Sequence, residues 1–188
     1  VYLRAAQKAV DSGKDVLILV PEIALATQLE SHFISRFKNR VVLQHSGLTK
    51  GQKYDQWHNA LTGEARIVIG ARSAVFSPLK NIGLIIVDEE HDSAFKQDDS
   101  FRYNGRDVAV LRARFNGCVV LLGSATPSVT SYYNAIQGKY TLLQMTKRVG
   151  EHDLPEVKIV DIKKADPRKN SKIFWPQLER ALLENYAN

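Results

Sequence analysis

Short apolar runs alternate along this chain with longer stretches whose apolar residues recur at three- and four-residue intervals. A run of four to six branched residues suits a strand buried on both faces, and the wider spacing suits an amphipathic helix. On that basis Tyr2–Ser12 is predicted as helix, Val16–Val20 as a strand ending at Pro21, and Ala24–Phe37 as a helix with Leu25, Leu29, Phe33 and Phe37 on one face. Val41–Leu43 follows as a strand, and Lys50–Leu61 as a helix stopped by Gly63. Arg66–Ile69 and Leu84–Val87 are strands, Arg106–Arg114 is a helix closed by Asn116-Gly117, Val119–Leu122 is a strand, and Ser128–Ile136 is a helix. Tyr140–Leu143 and Val157–Val160 are further strand candidates. The basic, polar segment Lys163–Lys172, with Pro167, reads as a linker, and Phe174–Tyr186 begins another helix. Strands alternating with helices predict an α/β fold with a mostly parallel sheet covered on both faces. There is no internal repeat and no low-complexity tract.

Composition narrows the picture a little. With 188 residues, 44% of them apolar and 24% charged, the chain is long enough for a sizeable core and reads as one globular domain with an appended segment. No apolar stretch approaches the roughly 20 residues that span a bilayer, and no secretory signal opens the sequence. Cys118 is the single cysteine, which excludes an internal disulfide and leaves a cysteine-based zinc site short of ligands. The cytoplasm is the expected compartment. The formal charge of +6 hints at a polyanionic partner, but the cations are scattered and a solvated surface explains them as well.

The chemistry is concentrated where apolar runs stop. Leu84–Val87 runs directly into Asp88-Glu89-Glu90-His91. In open α/β sheets ligands bind beyond the carboxyl ends of the strands, and acids crowded there call for a cation such as Mg²⁺ on a polyphosphate. The ordinary reading is a buried strand followed by an acidic turn. Val119–Leu122 likewise runs into Gly123-Ser124-Ala125-Thr126-Pro127-Ser128, two hydroxyls and a Ser that also suits a helix N-cap. Leu19-Val20-Pro21-Glu22-Ile23-Ala24-Leu25 is a strand end entering a helix, and Ile69-Gly70-Ala71-Arg72-Ser73-Ala74-Val75-Phe76-Ser77-Pro78 ends a strand in Gly, Arg and Ser. Backbone N–H groups and Arg-Ser pairs of this kind suit phosphate contacts, or plain loops. Between the acids and the hydroxyls, Ser93–Tyr103 interleaves Phe95, Phe101 and Tyr103 with Lys96 and Arg102, a composition suited to stacking on bases. The alternative is that Phe95 and Phe101 pack on the core. His45 has no partner at ligand spacing and reads as a packed or surface histidine.

Together D-E-E-H, G-S-A-T-P-S, V-P-E-I-A-L and G-A-R-S-A-V-F-S-P resemble the superfamily 2 helicases, and among them the first motor lobe of the replication-restart helicases. Gln44-His45-Ser46-Gly47-Leu48, Gly63–Gly70 and Arg102-Tyr103-Asn104-Gly105-Arg106-Asp107 extend the likeness to nearly the whole chain. Gly105 departs from it, since a bulkier residue is expected there, and should loosen the helix start. The resemblance implies a RecA-like (P-loop NTPase) lobe over residues 1–162, with 163–188 as linker toward a second lobe. It implies ATP and Mg²⁺ as cofactors and 3′→5′ movement on single-stranded and forked DNA, with single-strand-binding protein and other primosome proteins as partners. Asp88 would hold Mg²⁺, directly or through water, and Glu89 would activate the hydrolytic water. Glu90 and His91 would link that site to Ser124 and Thr126. Pro21, Glu22, Arg72, Ser73, Phe95, Lys96, Phe101, Arg102 and Tyr103 would face DNA. No G-x-x-x-x-G-K-[ST] is present, so the first strand and phosphate-binding loop are expected upstream of Val1 and the arginine finger downstream. The chain by itself is expected to hydrolyse negligible ATP and to hold no zinc. A non-hydrolysing nucleic-acid-binding module, or another superfamily 2 enzyme such as an RNA helicase or restriction translocase, stands as the alternative.

Overall fold

A computed structural model describes residues 1–21, 23–99, 101–146, 157, 159 and 176–186. Val1–Leu142 forms one compact unit; of the second, Leu143–Asn188, the described part is chiefly a helix at Pro176–Tyr186. In the first unit, helix α1 (Tyr2–Asp11) leads to β1 (Asp15–Leu19), α2 (Ile23–Phe37), β2 (Val41–Gln44), α3 (Lys50–Thr62), β3 (Ile67–Gly70) and β4 (Ile82–Val87). A two-stranded hairpin, β5 (Lys96–Gln97) with β6 (Tyr103–Asn104), then precedes α4 (Gly105–Asn116), β7 (Val119–Leu122) and α5 (Val129–Ile136).

The main sheet runs β2-β3-β1-β4-β7, every neighbouring pair parallel. This is a RecA-like α/β lobe. Its centre is dry on both sides because successive side chains of a strand point to opposite faces. Val16, Ile18, Ile67, Ile69, Leu84 and Ile86 face α1 and α2, packing on Ala6, Val10, Phe33 and Phe37. Leu17, Leu19, Val68, Ile85 and Val87 face the other way, onto Ala60 of α3 and Ala109 and Ala113 of α4. At the amino end of the sheet Asp15 is buried and receives Arg66 at 2.6 Å and the Asn81 N–H at 2.9 Å, so its charge is balanced.

Helix ends follow local chemistry. Thr49 and Gln52 make a reciprocal capping box at the start of α3, and Gly63 terminates it with φ +88°, a conformation a side chain resists. Asn104 caps α4 by accepting from the Arg106 and Asp107 N–H groups, and Ser128 caps α5. Gly105 does not loosen α4. It is buried, and an added Cβ would come within 3.1 Å of Arg72 Cγ and 3.5 Å of Phe95 Cδ1, so glycine fits the space better than a bulkier residue.

One predicted strand is absent. Among the described residues Tyr140–Leu143 has no ladder partner; the Tyr140 N–H returns to the Asn134 carbonyl at 3.2 Å, and Thr141, Leu142 and Leu143 are exposed. An apolar run forms a strand only where a ladder satisfies its backbone, and apolarity alone does not supply one. The segments expected as Val157–Val160 and Lys163–Lys172 lie wholly or mostly outside the described residues.

Candidate functional site

All five parallel strands end on the same edge, and there the backbone stitches the two chemical turns together. The Asp88 N–H donates to the Leu19 carbonyl at 2.9 Å, extending the β1–β4 ladder one residue past β4. Gly123 N–H donates to the Val87 carbonyl at 2.9 Å, and Glu90 N–H to the Gly123 carbonyl at 3.0 Å. The acidic turn and the hydroxyl turn are therefore held edge to edge by main-chain bonds. Between them, Glu89 sits at φ +46° in the left-handed region, which a glutamate resists, and the Asp92 N–H closes the turn onto the Glu89 carbonyl at 2.8 Å.

His91 is the side-chain bridge. Its Nδ1 lies 2.8 Å from Ser124 Oγ and its Nε2 3.4 Å from Thr126 Oγ1, while Ser124 Oγ accepts from the Thr126 N–H at 2.9 Å. The same Nδ1 is 3.6 Å from Glu89 Oε2. One imidazole thus touches the acid motif and both hydroxyls predicted to answer it.

Glu90, expected to share that bridge, points elsewhere. Its carboxylate is buried and accepts from the Ser128 N–H at 2.6 Å, Ser128 Oγ at 3.1 Å, Ser131 Oγ at 2.8 Å and Arg106 Nη1 at 3.1 Å. Burial alone would raise its pKa; the hydrogen bonds from Ser128, Ser131 and Arg106 outweigh that and hold it below the usual carboxylate range. Arg106 is raised in turn: burial works against its charge, and Asp107 and Glu90 overcome it. Glu90 is therefore a buried anchor tying the acidic turn to α4 and the start of α5. It contacts neither Ser124 nor Thr126, because adjacent residues in a tight turn project in opposite directions.

The predicted nucleic-acid residues divide. Phe95 is fully buried in the core beneath α4, so it is not available to stack on a base; the packing alternative holds for it. Arg72 donates to the carbonyls of Ala94 and Lys96 and lies with its guanidinium carbon 5.9 Å from the Tyr103 ring centroid, fastening the β5–β6 hairpin to the loop after β3. Ser73, Lys96 and Arg102 are exposed; Lys96 pairs with Asp98 at 3.1 Å, and Arg102 donates to the Asp98 carbonyl at 3.2 Å. Phe101 is 73% exposed, its ring 5.9 Å from that of Tyr103. Phe76, which the sequence reading passed over, is 48% exposed and stands edge-on to Tyr103 at 5.2 Å. Tyr103 thus has a partly or largely exposed ring against it on two sides, Phe76 and Phe101. Pro21 is half-buried at the end of β1, and Glu22 is outside the described residues. His45 accepts the Gly47 N–H at 3.2 Å and so closes a turn.

The family model described as DEAD/DEAH box helicase matches residues 1–135. The chain belongs to that family. It is 43% identical over 187 residues to the replication restart protein PriA of Bacillus subtilis, covering 100% of this chain and 23% of that protein. It is 46% identical over 191 residues to PriA of a Synechocystis strain, covering 98% and 23% respectively. The chain thus spans about a quarter of the length of these curated relatives. Among solved structures it is similar to an S. cerevisiae Dbp5 C-terminal domain, at 15% identity and TM-score 0.46, over 70% of this chain and 72% of that one.

A DEAD/DEAH box helicase implies a nucleotide and a divalent cation, and the rim fits them. Among the described residues no group of three or more His, Cys, Asp or Glu side chains could cage a metal alone. Mg²⁺ needs no such cage when phosphates and water complete its shell around one or two carboxylates, and Asp88 and Glu89 are half-buried at the strand ends to serve that way. Sequence reasoning missed several participants. Tyr2 OH donates to Asp88 Oδ1 at 2.8 Å, and Arg106, Ser128 and Ser131 hold Glu90. Only the R-Y-x-x-R-D phrase carried a signal for Arg106; Tyr2 stood inside an unremarkable helix.

Proposed function

We propose that this chain is the first motor lobe of an ATP-driven 3′→5′ DNA helicase or translocase of replication restart, residues 1–162 forming the lobe and 163–188 leading toward a second. The observation that carries it is the 2.8 Å contact of His91 Nδ1 with Ser124 Oγ, which joins an acidic turn to a hydroxyl turn at the ends of adjacent parallel strands. Bound Mg²⁺–ATP would supply the transferable γ-phosphoryl group and neutralise its charge. Asp88 would hold the cation, and Glu89 would orient water and take its proton. His91 would pass the state of that site to Ser124 and Thr126, and Glu90 would hold the turn in place. Phe101, Tyr103, Lys96, Arg102, Ser73 and Pro21, joined by Phe76, would contact single-stranded DNA. Polarity, forked-DNA substrates, single-strand-binding protein and other primosome partners, and a cytoplasmic location belong to the same reading and come from the motif resemblance; the likeness to the PriA proteins supports replication restart itself.

Glu89→Gln tests this in a full-length helicase carrying the chain. Loss of the base should lower DNA-stimulated hydrolysis by about 10²-fold or more. Affinity for single-stranded DNA should stay within roughly twofold, a change worth under ~0.5 kcal/mol. Unchanged turnover would remove Glu89 from the chemistry.

A further inference from the structure

Tyr2 is the first residue of α1, and its partner Asp88 lies 86 positions away. The phenol donates to Asp88 Oδ1 at 2.8 Å from a half-buried position. The third party is Gly123, at the end of β7: a Cβ built there would lie 1.7 Å from the Tyr2 hydroxyl oxygen, 2.9 Å from its Cζ and 3.5 Å from Asp88 Oδ1. Gly123 does not need positive φ, so its backbone gives no reason for glycine. The space taken by the phenol does.

We infer that Tyr2 is a positioning residue for Asp88, and that Gly123 is glycine so that the tyrosine hydroxyl can reach that carboxylate. The inference rests on the proposed nucleotide-hydrolysing function and deepens it. A carboxylate one residue past a strand end turns about two side-chain torsions. A donor fixed on Oδ1 from the neighbouring helix sets its plane and leaves Oδ2 for a cation. The ring also packs against the face of the sheet that α1 covers, and a phenylalanine would do that equally well. What phenylalanine lacks is the hydroxyl, which makes Tyr2→Phe a clean probe.

The test uses a full-length helicase carrying the chain, with Mn²⁺ standing in for Mg²⁺ and a non-hydrolysable ATP analogue present. Free Mn²⁺ is read by electron paramagnetic resonance. Tyr2→Phe should weaken Mn²⁺ binding about 10-fold, the loss of one hydrogen bond to a charged group. The thermal midpoint without metal should stay within roughly 4 °C. In steady state the half-saturating Mg²⁺ concentration should rise by the same factor, with a smaller fall in kcat at saturating Mg²⁺. Gly123→Ala should reproduce the Mn²⁺ defect by displacing the phenol, yet add less in the Tyr2→Phe background, where the 1.7 Å approach is gone and only the ring carbon at 2.9 Å has to shift. If the parent binds Mn²⁺ with nucleotide while Tyr2→Phe binds it equally well, Tyr2 only covers the sheet and the inference is wrong. Fully additive effects of the two substitutions would also overturn it. If the parent itself binds no Mn²⁺ with nucleotide, the nucleotide-hydrolysing function fails first, and this inference with it.

Discussion

Truncating Glu90 removes one partner from a pair that is almost completely desolvated, the two side chains being 1% and 13% exposed. Breaking a buried pair from one side costs about 3–5 kcal/mol, because the remaining charge is left without its counterion. Arg106 keeps Asp107 at 2.8 Å, which places Glu90→Ala near the lower end, about 3 kcal/mol. For a chain of this size that corresponds to a fall in Tm of about 6–12 °C. Urea titration of the purified chain, followed by circular dichroism, should show a lower midpoint with the slope unchanged. Arg106→Met should cost less, since Glu90 retains Ser128 and Ser131. Combining it with Glu90→Ala should be markedly less than additive. The pH dependence has a definite sign. The folded pKa of Glu90 is lowered, so its contribution is complete above the unfolded carboxylate value of about 4.3 and disappears as pH falls through the folded value. The stability gap between parent and Glu90→Gln should thus be flat from about pH 8 to about pH 5 and close only under stronger acid. A Glu90→Ala cost below about 1 kcal/mol, or a gap that widens on acidification, would refute the account of Glu90 as a satisfied buried anchor.

Phe95 and Phe101 should separate stability from binding. Phe95→Ala empties a fully buried site and should cost about 3–5 kcal/mol in urea unfolding, while Phe101→Ala should change stability by less than about 0.5 kcal/mol. In fluorescence-anisotropy titrations Phe101→Ala should weaken single-stranded DNA binding about 10-fold, and equal binding would take Phe101 out of the interface. Gly70→Ala sets a new Cβ 2.3 Å from the Gln44 carbonyl oxygen and 2.6 Å from Ala74 Cβ, so β2 and β3 must part. A loss of about 3 kcal/mol or more is expected, and a neutral result would mean the strand ends yield more readily than their packing indicates.

The sheet was legible because burial on both faces leaves a plain mark: four or five branched residues in a row, as in Val16–Val20 and Leu84–Val87. Caps fixed the helix ends, with Gly63 and Gly117 at positive φ where the sequence placed stops. The β5–β6 hairpin escaped because strands of two residues have no period to read. Tyr140–Leu143 misled because apolarity without a partner strand is not a strand. The D-E-E-H and G-S-A-T-P-S turns could be placed at one edge, but which acid faces which hydroxyl depends on turn geometry. That geometry sent His91 to Ser124 and Thr126, and Glu90 to Ser128 and Ser131. Contacts such as Tyr2 with Asp88 carry no local signal at all, since only the packing of α1 over β1 and β4 makes them neighbours.

Where local preference and observed structure disagree along the rim, the disagreement has a direction. Glu89 occupies a left-handed conformation that costs a side-chain-bearing residue on the order of 1 kcal/mol, and asparagine or glycine would relieve it. Its carboxylate returns little to the fold: it is 41% exposed, and its one ion-pair contact among the described residues is His91 at 3.6 Å. The backbone around it is over-determined by the bonds from Asp88 to Leu19, from Gly123 to Val87, from Glu90 to Gly123 and from Asp92 to Glu89. Those bonds hold the turn whatever side chain position 89 carries. A strained glutamate with one long ion-pair contact, beside an aspartate already engaged by a phenol, is poorly explained by folding. It is well explained by a need for a free carboxylate at that point in space, next to the imidazole that contacts Ser124 and Thr126.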